Sequence, residues 1–137
     1  MIVVDSNTVV YAFTPGPFAR EVELLAEADP FWVTVELCRS EFRNVMAAYL
    51  RKSLLTLEQV NWIIAQKETH FEFAYYEVNS LEVMSLVAAS RCSSYDCEYV
   101  ALAKKMGVPL ITYDEQILNS FPEIAYNPVR YLASVKE

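Results

Sequence analysis

The stretch SSYDCEYVALAKKMGVPLITYDEQ, residues 93–116, joins a helix to a buried strand. Ser94 is a favoured N-cap type, and Gly107 is the residue that closes a helix, with Lys104 and Lys105 suiting its last turn. VPLIT (108–112) then runs apolar without alternation, as strands covered on both faces do. A helix feeding such a strand is the unit of a parallel α/β layer. Two aspartates disturb the pattern. Asp96 shares its helix face with Tyr99, Val100 and Ala103, and Asp114 follows directly on the strand. A lone carboxylate in either place is costly, so both call for partners.

The same alternation extends through the chain. IVV (2–4) reads as a first buried strand, followed by a helix from Asn7 to Phe13 that TPGP closes. Residues 18–28 form a helix ended by Asp29-Pro30, and Phe31–Thr34 a second strand. A long helix runs from Val35 to Lys52. Thr56 and Gln59 have capping-box spacing for the next, which continues to Lys67. The aromatic-rich Phe71–Tyr75 is expected to be a strand. Asn79 with Glu82 repeats the capping signal for a helix reaching Arg91. After Asp114 come a short helix, a strand near Ile124–Tyr126 and a C-terminal turn or helix. The expectation is one domain over 1–137, of the α/β class, with a central, mainly parallel sheet.

Composition bounds the function. With 54% hydrophobic residues and only 2 glycines, the chain has the makings of a real core. No apolar run reaches the roughly 20 residues of a membrane helix. MIVVDSNTVVYAF lacks a basic leader and reads as a strand rather than a signal peptide. Cys38, Cys92 and Cys97 show no CxxC spacing, so they are expected as buried free thiols in a reducing cytoplasm. A lone histidine, His70, argues against a zinc site and reads best as a strand or surface residue. The net charge of −7 argues against a broad basic nucleic-acid face, but two divalent cations would carry it to −3, all at one place.

Four acids stand out, two of them just beyond the carboxyl ends of strands, where such a fold gathers chemistry, and two on the inner sides of helices. Asp5 follows IVV and Asp114 follows LIT. On the long helix, Cys38, Phe42, Val45, Met46 and Tyr49 make the apolar stripe. Glu41 lies at its border with Asn44 one turn on, while Glu36 points away. On the later helix Asp96 faces inward and Glu98 outward. Each acid alone has an ordinary explanation: Asp5, Asp96 and Asp114 as helix-end residues, Glu41 paired with a surface lysine. Ser6 or Asn7 would cap the first helix as well as Asp5. The joint placement favours a site. Clustered carboxylates repel one another, and hard cations such as Mg²⁺ or Mn²⁺ resolve that repulsion. Such ions can activate water and clamp an in-line phosphoryl displacement.

IVVDSN, SEFRNV, SSYDCEYVALA and PLITYDEQIL together resemble the PIN-domain nucleases, and the size and spacing are similar to the VapC-type toxins of toxin–antitoxin pairs. The resemblance implies a three-layer α/β/α fold and a Mg²⁺- or Mn²⁺-dependent endoribonuclease. It implies Asp5, Glu41, Asp96 and Asp114 as the catalytic, metal-binding acids, with Asn7 and Thr112 as polar support; Asn44 joins them from its place beside Glu41. It further implies an RNA substrate, a homodimer, and a small antitoxin whose C-terminal segment lies along a groove. Arg39, Arg43, Arg51, Lys52, Lys104 and Lys105 are the basic residues available to RNA. Three other readings compete, one of them a purely structural domain whose acids are only helix caps. A haloacid-dehalogenase-type phosphatase would begin DxD after its first strand, whereas this chain has DSN. A PIN-like binding module would keep the fold without turnover.

Overall fold

The apolar triplet at the N-terminus becomes the centre of the sheet. In the computed structural model, which describes residues 1–136, the elements run β1 (Ile2–Val4), α1 (Ser6–Phe13), α2 (Ala19–Ala28), β2 (Trp32–Val35), α3 (Leu37–Arg51), α4 (Leu57–His70), β3 (Tyr75–Tyr76), α5 (Ser80–Ala88), α6 (Ser94–Met106), β4 (Leu110–Ile111), α7 (Glu115–Ser120), β5 (Ala125–Tyr126) and α8 (Pro128–Val135). The five strands form one all-parallel sheet in the order β3-β2-β1-β4-β5. Every residue of β1 and β4 is fully buried, which is why both read as unbroken apolar runs. The helices flank the sheet in a three-layer arrangement: α1 packs on α2, α3 and α4, α2 on α8, and α5 on α6, which lies across β1, β2 and β4. Among the described residues no helix is long and apolar enough to cross a membrane.

The strand order contains a reversal. The chain steps outward from β1 to β2 to β3, then returns through α5 and α6 to place β4 on the other side of β1. The register pairs Val4 with Ile111, so the carboxyl ends of β1 and β4 lie side by side. In open α/β sheets this point of reversal is where a crevice opens. Asp5 leaves β1 there and Thr112 leaves β4.

Several boundaries differ from the expected ones. Asp5 itself caps α1, so Ser6 and Asn7 are the first helical residues. Ser93 rather than Ser94 caps α6, its hydroxyl accepting from the Asp96 N–H at 3.1 Å, which makes Asp96 the third helical residue. Val35 stays in β2 because it pairs with Tyr76, and α3 starts two residues later. Phe71 is not the start of β3. It is buried as the C-cap of α4, and its carbonyl accepts from the Ala74 N–H in a turn that delays the strand to Tyr75. Helix α5 stops at Ala88, where the Ser90 hydroxyl bonds back to the Leu86 carbonyl and accepts from the Cys92 N–H. Gly107 ends α6 at φ 66°, a conformation that suits glycine. The three cysteines are buried and unbridged, and burial pushes the Cys38 thiol up to about 11. His70 is exposed at the end of α4, its ring edge-on to Phe13, Trp32 and Phe71.

The short edge strand β3 is held by charge. Lys67 on α4 is only 1% exposed. Its ammonium donates to Glu68 Oε1 and to the Tyr75 hydroxyl, each at 2.9 Å, and lies 4.8 Å from the centre of the Phe42 ring. Arg39 of α3 stacks on Tyr75 at 4.0 Å and reaches Glu68 at 3.5 Å. One network therefore joins α3, α4 and the edge of the sheet, and it engages Arg39 with protein acids.

Candidate active site

Asp5 is 5% exposed and fully engaged. Oδ1 accepts from the Thr8 N–H at 3.0 Å and the Thr8 hydroxyl at 2.7 Å, and Oδ2 accepts from the Thr112 hydroxyl. The Thr112 oxygen in turn accepts from the Asp114 N–H at 3.0 Å. A single buried hydroxyl thus ties the ends of β1 and β4 together. Asp114 caps α7 with one oxygen, taking the Ile117 N–H at 3.0 Å. On α3, Glu41 Oε1 accepts a 2.5 Å hydrogen bond from the Tyr99 hydroxyl of α6. Asp96 stands in the first turn of α6, half-buried. Asp5 and Asp114 are therefore helix caps and pocket residues at once. A carboxylate has about four acceptor positions, so one role does not use up the other.

All four acids line one open pocket of about 450 Å³, with Asn7 and Asn44 exposed at its rim. Among the described residues no Lys or Arg lines it, and none of the four acids is in an ion pair. The carboxylates feel one another. Burial pushes the Asp5 carboxyl above the usual range and the charge of Asp114 pushes it further, while the hydrogen bonds from Thr112 and Thr8 pull it back. Asp96 is raised first by burial, then by Asp114 and Glu41, with Ser93 opposing. Glu98, expected to be solvated, is half-buried and raised by burial and by Glu41. The Tyr99 phenol is pushed far up, by burial first and then by Cys38 and Glu41.

Among the described residues, no three His, Cys, Asp or Glu side chains are gathered into a ready-made metal cage. Like charges without a counter-ion stay apart, and Asp5, Glu41 and Asp114 are each held by a donor of their own. The donor set itself fits a hard cation. It offers carboxylate, amide and hydroxyl oxygens, with no thiol or imidazole among the lining residues.

Sequence patterns alone do not single out two residues here. Thr8 is buried and gives Asp5 two of its three hydrogen bonds. Its signal was available, since it stands three residues after a capping aspartate. Tyr99 reads as an apolar companion of Asp96. Its bond to Glu41, 58 positions away in sequence, depends on how α3 meets α6.

Thr112 gives a direct check on the assembly. Thr112→Val leaves a buried carboxylate oxygen and a part-buried N–H without a partner, so it is expected to cost about 2 kcal/mol. Urea unfolding in EDTA measures this. A loss below about 0.5 kcal/mol would mean that the hydroxyl bridge contributes nothing to the fold.

An all-parallel sheet with a chain reversal at its centre thus sets an acid-lined pocket beyond its strand ends. The chain belongs to the PIN domain family, whose model matches residues 2–124. It is similar to a protein named Ribonuclease VapC3 from Pyrobaculum aerophilum, at 25% identity over 127 residues, spanning 90% of this chain and 96% of that one. Two solved structures share the fold. FitAcB from Neisseria gonorrhoeae aligns with a TM-score of 0.74 at 16% identity, over 94% of this chain and 99% of that one. PAE2754 from Pyrobaculum aerophilum aligns with a TM-score of 0.76 at 15% identity, over 98% and 88%.

Proposed function

We propose that this protein is a divalent-metal-dependent endoribonuclease, acting as the toxin of a toxin–antitoxin pair. The observation that carries this reading is the pocket: four carboxylates from four separate segments of a PIN-family chain, with no basic residue among its lining. The likeness to a ribonuclease named VapC3 supports the choice of RNA.

In this reading Asp5, Glu41, Asp96 and Asp114 hold Mg²⁺ or Mn²⁺, and Asn7 and Asn44 add neutral donors at the rim. The ion would supply Lewis acidity toward a phosphodiester and toward the attacking water. Thr112 keeps Asp5 and the start of α7 in fixed relation through its two hydrogen bonds. No thiol or imidazole of the chain is needed as a nucleophile. Arg43, Arg51, Lys52, Lys104 and Lys105 are exposed and free to meet RNA phosphates, and Arg39 contributes less because it is paired with Glu36 and Glu68. An apolar groove of about 540 Å³ lined by Tyr11, Phe13, Val22, Trp32 and His70 supports an antitoxin segment as partner. A homodimer and a cytoplasmic setting complete the proposal.

The test is incubation of purified protein with cellular RNA in Mg²⁺, in Mn²⁺ and in EDTA. Cleavage is expected with either ion and none with EDTA. In Mn²⁺ at a hundredfold excess over its dissociation constant, the fold should gain about 2.7 kcal/mol. Metal-dependent stabilisation without cleavage of any RNA would leave the binding module. Cleavage that persists in EDTA would defeat the metal reading.

A further inference from the structure

We infer that Tyr99 is a positioning residue of the pocket, a buried phenol that presets Glu41 for the ion and couples α3 to α6. The inference rests on the reading of the pocket as a metal site and names a residue that site depends on.

A glutamate on an open pocket wall is a poor ligand until its side chain is restrained. Ordering a free glutamate side chain costs it rotamer freedom. Glu41 is only half-buried and sits at the border of the apolar stripe of α3, so packing alone does not hold it. The phenol does. Tyr99 is 2% exposed, its ring fixed in the core, and its hydroxyl meets Glu41 Oε1 at 2.5 Å. That bond fixes one oxygen and leaves Oε2 uncommitted. Tyr99 also stands one turn after Asp96 on α6, and it lines the pocket together with Ser6, the neighbour of Asp5. The phenol thus joins α3 and α6, two segments that each carry a pocket acid. A water molecule cannot take over its role with the same fixed direction. Outer partners of metal ligands act in this way: they orient the ligand, and their loss weakens metal affinity by about 10- to 100-fold.

Tyr99→Phe separates positioning from packing, because the ring stays and only the hydroxyl goes. The measurement is Mn²⁺ binding by calorimetry for wild type, Tyr99→Phe, Glu41→Gln and the double variant. Expected are an affinity about tenfold weaker in Tyr99→Phe and a double variant no weaker than Glu41→Gln alone. Cleavage by Tyr99→Phe should recover as Mn²⁺ is raised. Wild-type affinity in Tyr99→Phe, or effects that add in the double variant, overturns the inference while leaving the metal site intact. A wild type that neither binds Mn²⁺ nor cleaves RNA with it fails at the parent reading, and the inference falls with it. Should Tyr99→Phe not fold, NMR of the wild type decides. A protected hydroxyl proton that Glu41→Ala removes supports the contact, and its absence overturns it.

Discussion

Asp5→Asn is expected to slow RNA cleavage by more than the roughly 100-fold that losing an outer partner of a metal ligand can cost, while leaving the metal-free protein at least as stable as wild type. The two effects share one cause. Asp5 is a nearly buried carboxylate with no cation beside it, raised by burial and by Asp114. A carboxyl whose pKa is raised on folding holds its proton more tightly in the native state. Stability therefore falls as pH rises through the window from 3.8 up to the raised value. The amide of the variant does not titrate, so that part of the slope disappears. Its oxygen can still cap α1, since Asn and Asp cap about equally well. The Thr112 hydroxyl has two lone pairs, enough to accept from both the new amide and the Asp114 N–H. Urea unfolding of both proteins in EDTA between pH 4 and 8 reads the effect. Mn²⁺ should then stabilise the wild type and not the variant. A variant markedly less stable at pH 7 would mean that Asp5 is a satisfied structural charge, and the clustered-charge account would fail.

The largest effect on folding is expected at Glu68, through Lys67. Removing one partner of a buried pair costs about 3–5 kcal/mol, because the other charge is left desolvated. Lys67 is the buried member, with Glu68 half outside. Glu68→Ala strips away the carboxylate bonded to that ammonium and also frees Arg39 from it. The Tyr75 hydroxyl and the Phe42 ring remain, so a loss of about 3 kcal/mol is expected. Lys67→Met removes the buried charge instead. It keeps a long flexible chain against Phe42 and loses only the hydrogen bonds that the ammonium donates to Tyr75 and to the partly exposed Glu68, so its cost should be about 1 kcal/mol or less. Comparable unfolding midpoints for the two variants would show that the pair acts only through packing volume.

The parts of the fold legible in the sequence are those where local and tertiary preferences agree. IVV and the run through Leu110 and Ile111 are apolar because they are covered on both faces, and Gly107 stops α6 because the backbone there is left-handed. The four acids were legible by their misfit with apolar neighbours. What stayed hidden depends on partners far along the chain. Aromatic content around Phe71 suggested a strand, but burial against Phe13 and Tyr75 makes that residue a helix end. Lys67 reads as a helix-terminal lysine until Phe42 and Tyr75 enclose it. Asp5, Ser6 and Asn7 are equal candidates for capping α1, and Thr8 with Thr112 chooses among them.

The central reversal of the sheet also sets when the pocket can exist. Asp5 is made well ahead of its Thr112 partner, which comes 107 positions later, and Asp114 comes later still. Closing so long a loop is slow compared with forming local helices. During synthesis, which proceeds from the N-terminus at about 5–20 residues per second, α1 to α6 can form before β4 is available to dock beside β1. For seconds the ribosome therefore carries a chain holding three of its four acids and no pocket. In the proposed nuclease reading, no assembled site exists until β4 docks beside β1.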